Sequence, residues 1–321
     1  MFAGIIAGIT WAIETIVLGY ALAMSPFCTT EQAIFLAPFV STFLHDSFSA
    51  IWATLFNGVR GNTKNVWKAF KTKSGKFVVL AAVIGGPIGM TVYVMSVNYM
   101  GASIGAVASA IFPAIGAVLA FIFLKEKMKW YQWLFLIATL LGVYGLYYSP
   151  DMNVTNYALG ILGALMCSFG WGIEAVILAK SLTDPEVTDE YALQIRQTTS
   201  ALTYGVILLP AISLIKGWGF TASWSFTASL FTSEATWLIP TIAAAGLAAT
   251  VSYLFYYKAI SQIGASKSMG LNVTYGAWAL IFTAILTQTM PSAIAIACTV
   301  VVLVCSIFAA ADFKEIFKKE N

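Results

Sequence analysis

The sequence predicts an all-α integral membrane protein, with ten transmembrane helices arranged as two inverted repeats of five. Three observations carry that prediction. The 321 residues are 60% hydrophobic and only 10% charged, with a mean hydropathy of +0.84. That leaves too little polar surface for a water-soluble domain of this size. Apolar runs of about 20 residues recur along the chain, each long enough to cross a hydrocarbon core of roughly 30 Å as a helix. Finally, the motif Trp11-Ala-Ile-Glu14 returns half a chain later as Trp171-Gly-Ile-Glu174.

The runs fall at residues 2–24, 32–56, 77–99, 102–124, 130–148, 158–180, 192–215, 237–258, 265–288 and 291–311. They are too long and too uniformly apolar for barrel strands, which alternate polar and apolar residues. The first run lacks a basic leader and a convincing cleavage site, so it reads as the first span. Residues 57–76 contain Arg60, Lys64, Lys68, Lys71, Lys73 and Lys76 and no acid. Basic residues gather on the cytoplasmic side, which places this segment and both termini inside. Lys125, Lys127, Lys129, Lys180, Arg196, Lys258, Lys267, Lys314, Lys318 and Lys319 then fall inside too. Of the 17 basic residues only Lys216 lies outside, beside a Trp-rich stretch at 216–236. The acidic loop Asp184–Glu190 is also inside, where acids weigh little.

The net charge of +3 therefore records topology and gives no support for nucleic-acid binding. The four cysteines, Cys28, Cys167, Cys298 and Cys305, show no CxxC spacing. Three of them lie in apolar runs, where Cys is usually a small buried hydrophobe. His45 is the single histidine, which excludes a His-rich metal box. No nucleotide-binding motif is present, and nothing requires a cofactor.

The two halves, 1–149 and 150–321, share a second anchor. Tyr93 followed by Gly101-Ala-Ser103 matches Tyr256 followed by Gly264-Ala-Ser266, at the same eight-residue spacing. An odd number of spans per repeat inverts one half against the other. Inverted repeats are a transporter signature, with the binding site near the midplane between the halves.

Ionisable side chains within spans are costly and mark functional sites by default. Glu14, His45, Asp46 and Glu174 qualify. Arg196 reads as structural, pairing with Glu190 or reaching the interface. His45 and Asp46 are neighbours in sequence, so one is expected to face the cavity and the other a neighbouring helix. Trp11 and Glu14, like Trp171 and Glu174, lie three residues apart on one helix face. Two such faces meeting at a pseudo-twofold axis give aromatic walls and negative charge, which suits an organic cation. Tyr253, Tyr256 and Tyr257, and Asn272, Tyr275 and Trp278, recur at helical spacing and carry polar ends suited to lining a cavity. Glu14, Glu174 and His45 are the candidates for proton coupling. Gly85-Gly-Pro87 and Phe112-Pro113 interrupt two spans and are candidate hinges.

Gly101-Ala-Ser103, Ala110-Ile-Phe-Pro113 and Leu124-Lys-Glu126 resemble the EamA branch of the drug/metabolite transporter superfamily. A narrower resemblance runs through both halves. His45-Asp46, GGPIGM (85–90), AIFPAI (110–115), WGIE (171–174), IRQTTS (195–200), SYLFYYKAI (252–260) and GLNVTYGAW (270–278) are similar to the choline permeases of the bacterial Lic phosphorylcholine pathway. That resemblance implies a multi-pass importer in the bacterial plasma membrane, with no enzymatic activity, that takes up a quaternary ammonium compound. It implies Trp11, Trp171 and Tyr256 as aromatic walls and Asp46 and Glu174 as nearby anions. Glu14 departs from the family pattern, where that position tends to be small. An exporter of other cationic metabolites, amino acids or drugs on the same fold is the alternative. The implied partners are a choline-like cation and the lipid bilayer.

Overall fold

The computed structural model describes residues 1–101, 105, 108–147, 154–232 and 237–311. The helices are α1 (Phe2–Leu22), α2 (Glu31–Val59), α3 (Thr63–Lys71), α4 (Lys73–Met100), α5 (Phe112–Leu124) and α6 (Trp130–Tyr147). The second half holds α7 (Tyr157–Ser181), α8 (Asp189–Ile215), α9 (Ala222–Thr232), α10 (Leu238–Ile263), α11 (Ala265–Asn272), α12 (Tyr275–Thr287) and α13 (Ala293–Ala310). Among the described residues nine spans are long and apolar enough to cross a membrane, α11 and α12 together forming one of them. The shorter apolar helix α5 takes the remaining place, in the run expected at 102–124. Ala102 and Ser103 of the first repeat anchor, and Lys314, Lys318 and Lys319, lie outside the described residues.

Local chemistry starts several helices where expected. Thr30, Asn156, Thr188 and Ser292 each accept a hydrogen bond from a backbone N–H in the first turn of α2, α7, α8 and α13, satisfying a donor that has no helical partner. The basic segment 57–76 contains the helix α3, and the Trp-rich stretch at 216–236 contains α9. Pro38 lies within α2 without ending it.

The inversion shows in the packing. Helix α1 packs on α10, α11 and α12, while its counterpart α7 packs on α4 and α5. Helices α2 and α8 pair with each other, as do α6 and α13. The backbone repeats as well. Gly101 (φ 81°) and Gly264 (φ 85°) end α4 and α10 at equivalent positions; positive φ there suits glycine, which has no Cβ to clash. Lys125 and Gln288 take left-handed backbone at the ends of α5 and α12, again at equivalent positions. Close approach needs small residues: a Cβ on Gly172 of α7 would sit 3.1 Å from the Gly116 Cα of α5.

The expected hinges behave differently from each other. Gly85-Gly-Pro87 does not break α4; residues Ile84–Ile88 widen into a π turn inside it. A second π turn, Tyr204–Leu208, lies in α8. Each has a glycine carbonyl that accepts an indole N–H: Trp171 Nε1 donates to Gly85 O at 3.0 Å, and Trp224 Nε1 to Gly205 O at 3.1 Å. Phe112-Pro113 instead begins α5, after a turn at 110–111. The equivalent turn at 273–274 separates α11 from α12, and no proline marks it.

Candidate functional site

A cavity of about 380 Å³ lies between the halves, within the size range of small-molecule sites. It is lined by Trp11 and Glu14 of α1, His45 and Asp46 of α2, Tyr93 of α4, Phe112 of α5, Trp171 and Glu174 of α7, Arg196 of α8, Tyr253 and Tyr256 of α10, Asn272 of α11 and Tyr275 of α12. The residues expected from the sequence line it, with two exceptions: Tyr257, which is fully buried outside the cavity lining, and Trp278, whose ring stacks on Phe282.

The aromatic wall is continuous. Trp11 stacks on Tyr275 with centroids 3.9 Å apart, and Phe112 meets Trp171 edge-on at 5.5 Å. These two pairs are repeat equivalents, since Phe112 corresponds to Tyr275. Phe112 also lies 6.5 Å from Trp11, and Tyr93 lies 5.9 Å from Trp171. Five rings from four membrane spans and the short helix α5 thus run side by side. The glycines of the 85–89 stretch make room for this wall. A Cβ on Gly89 would sit 3.3 Å from Trp171 Nε1, and one on Gly85 would overlap the Glu174 carboxylate.

The charged wall differs from expectation in two ways. Arg196 neither pairs with Glu190 nor reaches the interface; Arg60 holds Glu190 at 3.4 Å. Arg196 is 3% exposed. Its Nε donates to Glu174 Oε1 at 3.0 Å, its Nη1 donates to Gln197 Oε1 at 2.7 Å, and Nη1 lies 3.7 Å from Asp46 Oδ2. Its guanidinium also covers the Tyr253 ring at 4.5 Å. Burial leaves a guanidinium no water, so it binds every acceptor within reach.

His45 and Asp46 also do not part to opposite sides. Both line the cavity, and His45 Nδ1 donates to Asp46 Oδ1 at 2.9 Å. The far ring nitrogen, Nε2, lies 3.3 Å from Glu14 Oε1 and makes no aligned hydrogen bond. Asp46 Oδ2 accepts from Ser200 at 2.5 Å. Three carboxylates therefore face one guanidinium and one imidazole. One net negative charge remains when His45 is protonated, and two when it is neutral. Glu174 and Asp46 lean on Arg196, whereas Glu14 has only His45.

Phe112, Tyr93 and Arg196 were not expected in the site. Phe112 and Tyr93 could have been found from the repeat, as the equivalents of Tyr275 and Tyr256. Arg196 could not, because its placement depends on how α8 packs against α2 and α4.

Residues 1–148 match the EamA-like transporter family. The chain is 28% identical over 207 residues to Protein LicB of Haemophilus influenzae, a stretch that covers 63% of this chain and 63% of that protein. A solved crystal structure of another protein superposes with a TM-score of 0.70 at 13% identity, over 99% of this chain and 98% of that one. That likeness shows the fold alone. The first half of the chain, residues 1–148, is thus similar to EamA-like transporters, and nine spans among the described residues are long and apolar enough to cross a membrane.

Proposed function

We propose that this protein is a transporter that imports a quaternary ammonium compound, choline above others, by alternating access across a bacterial plasma membrane with both termini cytoplasmic. The observation that supports this most is the pairing of five aromatic rings with a cluster of net negative charge in one buried cavity. A trimethylammonium group has no N–H to donate. It is held by ring faces, each worth about 2 kcal/mol when desolvated, and by diffuse attraction to nearby anions.

The charge balance supports a monovalent cation. Binding one neutralises the cluster when His45 carries its proton. Arg196 is already committed to Glu174, Gln197 and Asp46, so it offers little to a carboxylate on the substrate. The membrane potential, negative inside, favours entry of a cation by about 2.3 kcal/mol per charge per 100 mV. Similarity of the GGPIGM, WGIE and GLNVTYGAW segments to the choline permeases supports the choice of choline. Glu14, His45 and Glu174 remain the residues through which a proton could be coupled.

Calorimetry on the purified protein tests this, with choline, its zwitterionic relative betaine and the uncharged isostere 3,3-dimethylbutanol. We expect choline to bind and the isostere not to compete. Equal binding of choline and the isostere would reject the cation site. No choline binding would reject the substrate and leave the fold unaffected.

A further inference from the structure

We infer that helix α3 is an interfacial binding site for anionic phospholipid headgroups, with Trp67 and Phe70 as its apolar anchors. Helix α3 joins α2 to α4 and is strongly two-faced. Val66 and Ala69 are buried where α3 packs on α4, α8 and α2. On the free face Trp67 is 63% exposed and Phe70 40% exposed, and their rings meet edge-on at 5.9 Å. Lys64, Lys68 and Lys71 lie on the same helix and are all exposed. On a helical wheel Trp67 falls between Phe70 and the pair Lys71 and Lys64, with Lys68 beyond them.

A tryptophan this exposed beside three lysines suits neither bulk water nor the bilayer core. It suits the boundary between them, where an amphipathic helix buries its rings among acyl chains and keeps its ammonium groups at headgroup level. Charge complementarity sets the partner. Residues 57–76 carry Arg60, Lys64, Lys68, Lys71, Lys73 and Lys76 with no acid. Arg60 is shared with Glu190, and no ion pair is found for the three α3 lysines among the described residues. An anionic leaflet supplies the missing counter-charge.

The helix is also held rigidly at its end. Thr72 donates to Ala69 O at 2.7 Å and accepts from Gly75 N at 2.9 Å. A Cβ on Gly75 would overlap the Ala69 carbonyl, so the α3–α4 corner is set tightly. The rings and ammonium groups are thereby presented in a fixed arrangement.

The test uses full-length protein in detergent, titrated with phosphatidylglycerol or phosphatidylcholine and followed by thermal unfolding. Phosphatidylglycerol should stabilise at much lower concentration than phosphatidylcholine. Each basic residue near an anionic surface contributes about fivefold, so a Lys64→Gln, Lys68→Gln, Lys71→Gln variant should lose roughly a hundredfold of that preference. The loss should shrink as salt is raised. Equal response to the two lipids, or an unchanged preference in the variant, overturns the inference. A second readout needs no lysine change. In vesicles, brominated lipids should quench fluorescence that is present in wild type and absent in Trp67→Phe; no difference between the two would place Trp67 away from lipid and overturn the inference.

Discussion

Arg196 Nε lies 3.0 Å from Glu174 Oε1, and both side chains are buried within the cavity wall. This pairing decides which acid is available to a substrate. Glu174, part of the repeated Trp-x-x-Glu motif, spends its charge on a guanidinium 22 residues further along the chain. Its repeat partner Glu14 has no guanidinium and faces His45 instead. The two motifs are alike in sequence and different in electrostatics.

Removing Arg196 should therefore be severe. Arg196→Gln leaves Glu174 and Asp46 buried without their cation, a change that costs about 3–5 kcal/mol when a buried pair loses one partner. Adding Glu174→Gln removes one of the stranded charges, so the double variant should recover part of the lost stability. Thermal unfolding of both purified variants checks this. A double variant less stable than Arg196→Gln alone would mean that the pair does not act as a unit.

Glu14 should govern charge selection. Glu14→Gln removes one negative charge while keeping the side-chain shape, so the cluster becomes neutral when His45 is protonated. Choline affinity should fall by roughly tenfold, about 1.4 kcal/mol, and the preference for choline over betaine should narrow. Competition calorimetry measures both. If affinity holds and the preference is unchanged, the cavity does not read charge through Glu14.

The membrane spans and the duplicated motif were legible in the sequence because each depends on local composition or on period. Trp11, Trp171, Tyr256, Asp46 and Glu174 were placed in the cavity for the same reason: a polar or aromatic group in an apolar span has few places to go. What could not be read depends on contacts between distant helices. Arg196 lies two turns into α8, where snorkelling is reasonable until α2 and α7 bring their carboxylates alongside. His45 and Asp46 point their backbone bonds 100° apart on an ideal helix, yet side-chain rotation brings Nδ1 to Oδ1. The turn between α11 and α12 carries no Pro or Gly at 273–274, so only its equivalence to residues 110–111 could have revealed it.

The two repeat-related tryptophans of the aromatic wall should contribute unequally to binding. Trp171 touches Phe112 and Tyr93, whereas one face of Trp11 is already covered by Tyr275 at 3.9 Å. Trp171→Ala should weaken choline binding by about 2 kcal/mol, and Trp11→Ala by less, since a covered face cannot meet the ligand. Trp171→Phe should recover much of the loss. Calorimetry with the three variants decides; equal and negligible losses in both alanine variants would remove the rings from the site.

Glu126 should hold one end of the cavity shut. Its carboxylate accepts from Ala265 N at 2.8 Å, from Ser266 N at 3.0 Å and from Ser266 Oγ at 2.7 Å, capping the free N–H groups at the start of α11. The cavity lining includes Leu18, Gly19, Leu22, Pro38 and Val94, which lie towards the end of the bundle that carries Lys216. Glu126 lies at the opposite end, where α11 packs on α1 and a Cβ on Gly4 would sit 2.6 Å from Leu271. Hydrogen bonds to a charged group are worth about 1.5–3 kcal/mol, and each 1.4 kcal/mol shifts a two-state population about tenfold. Glu126→Ala should therefore populate a state opened at this end. Hydrogen–deuterium exchange should then quicken in the turns of α1 around Gly4 and Gly8 as well as in α11 itself. Faster exchange confined to the first turn of α11 would make Glu126 a helix cap and nothing more.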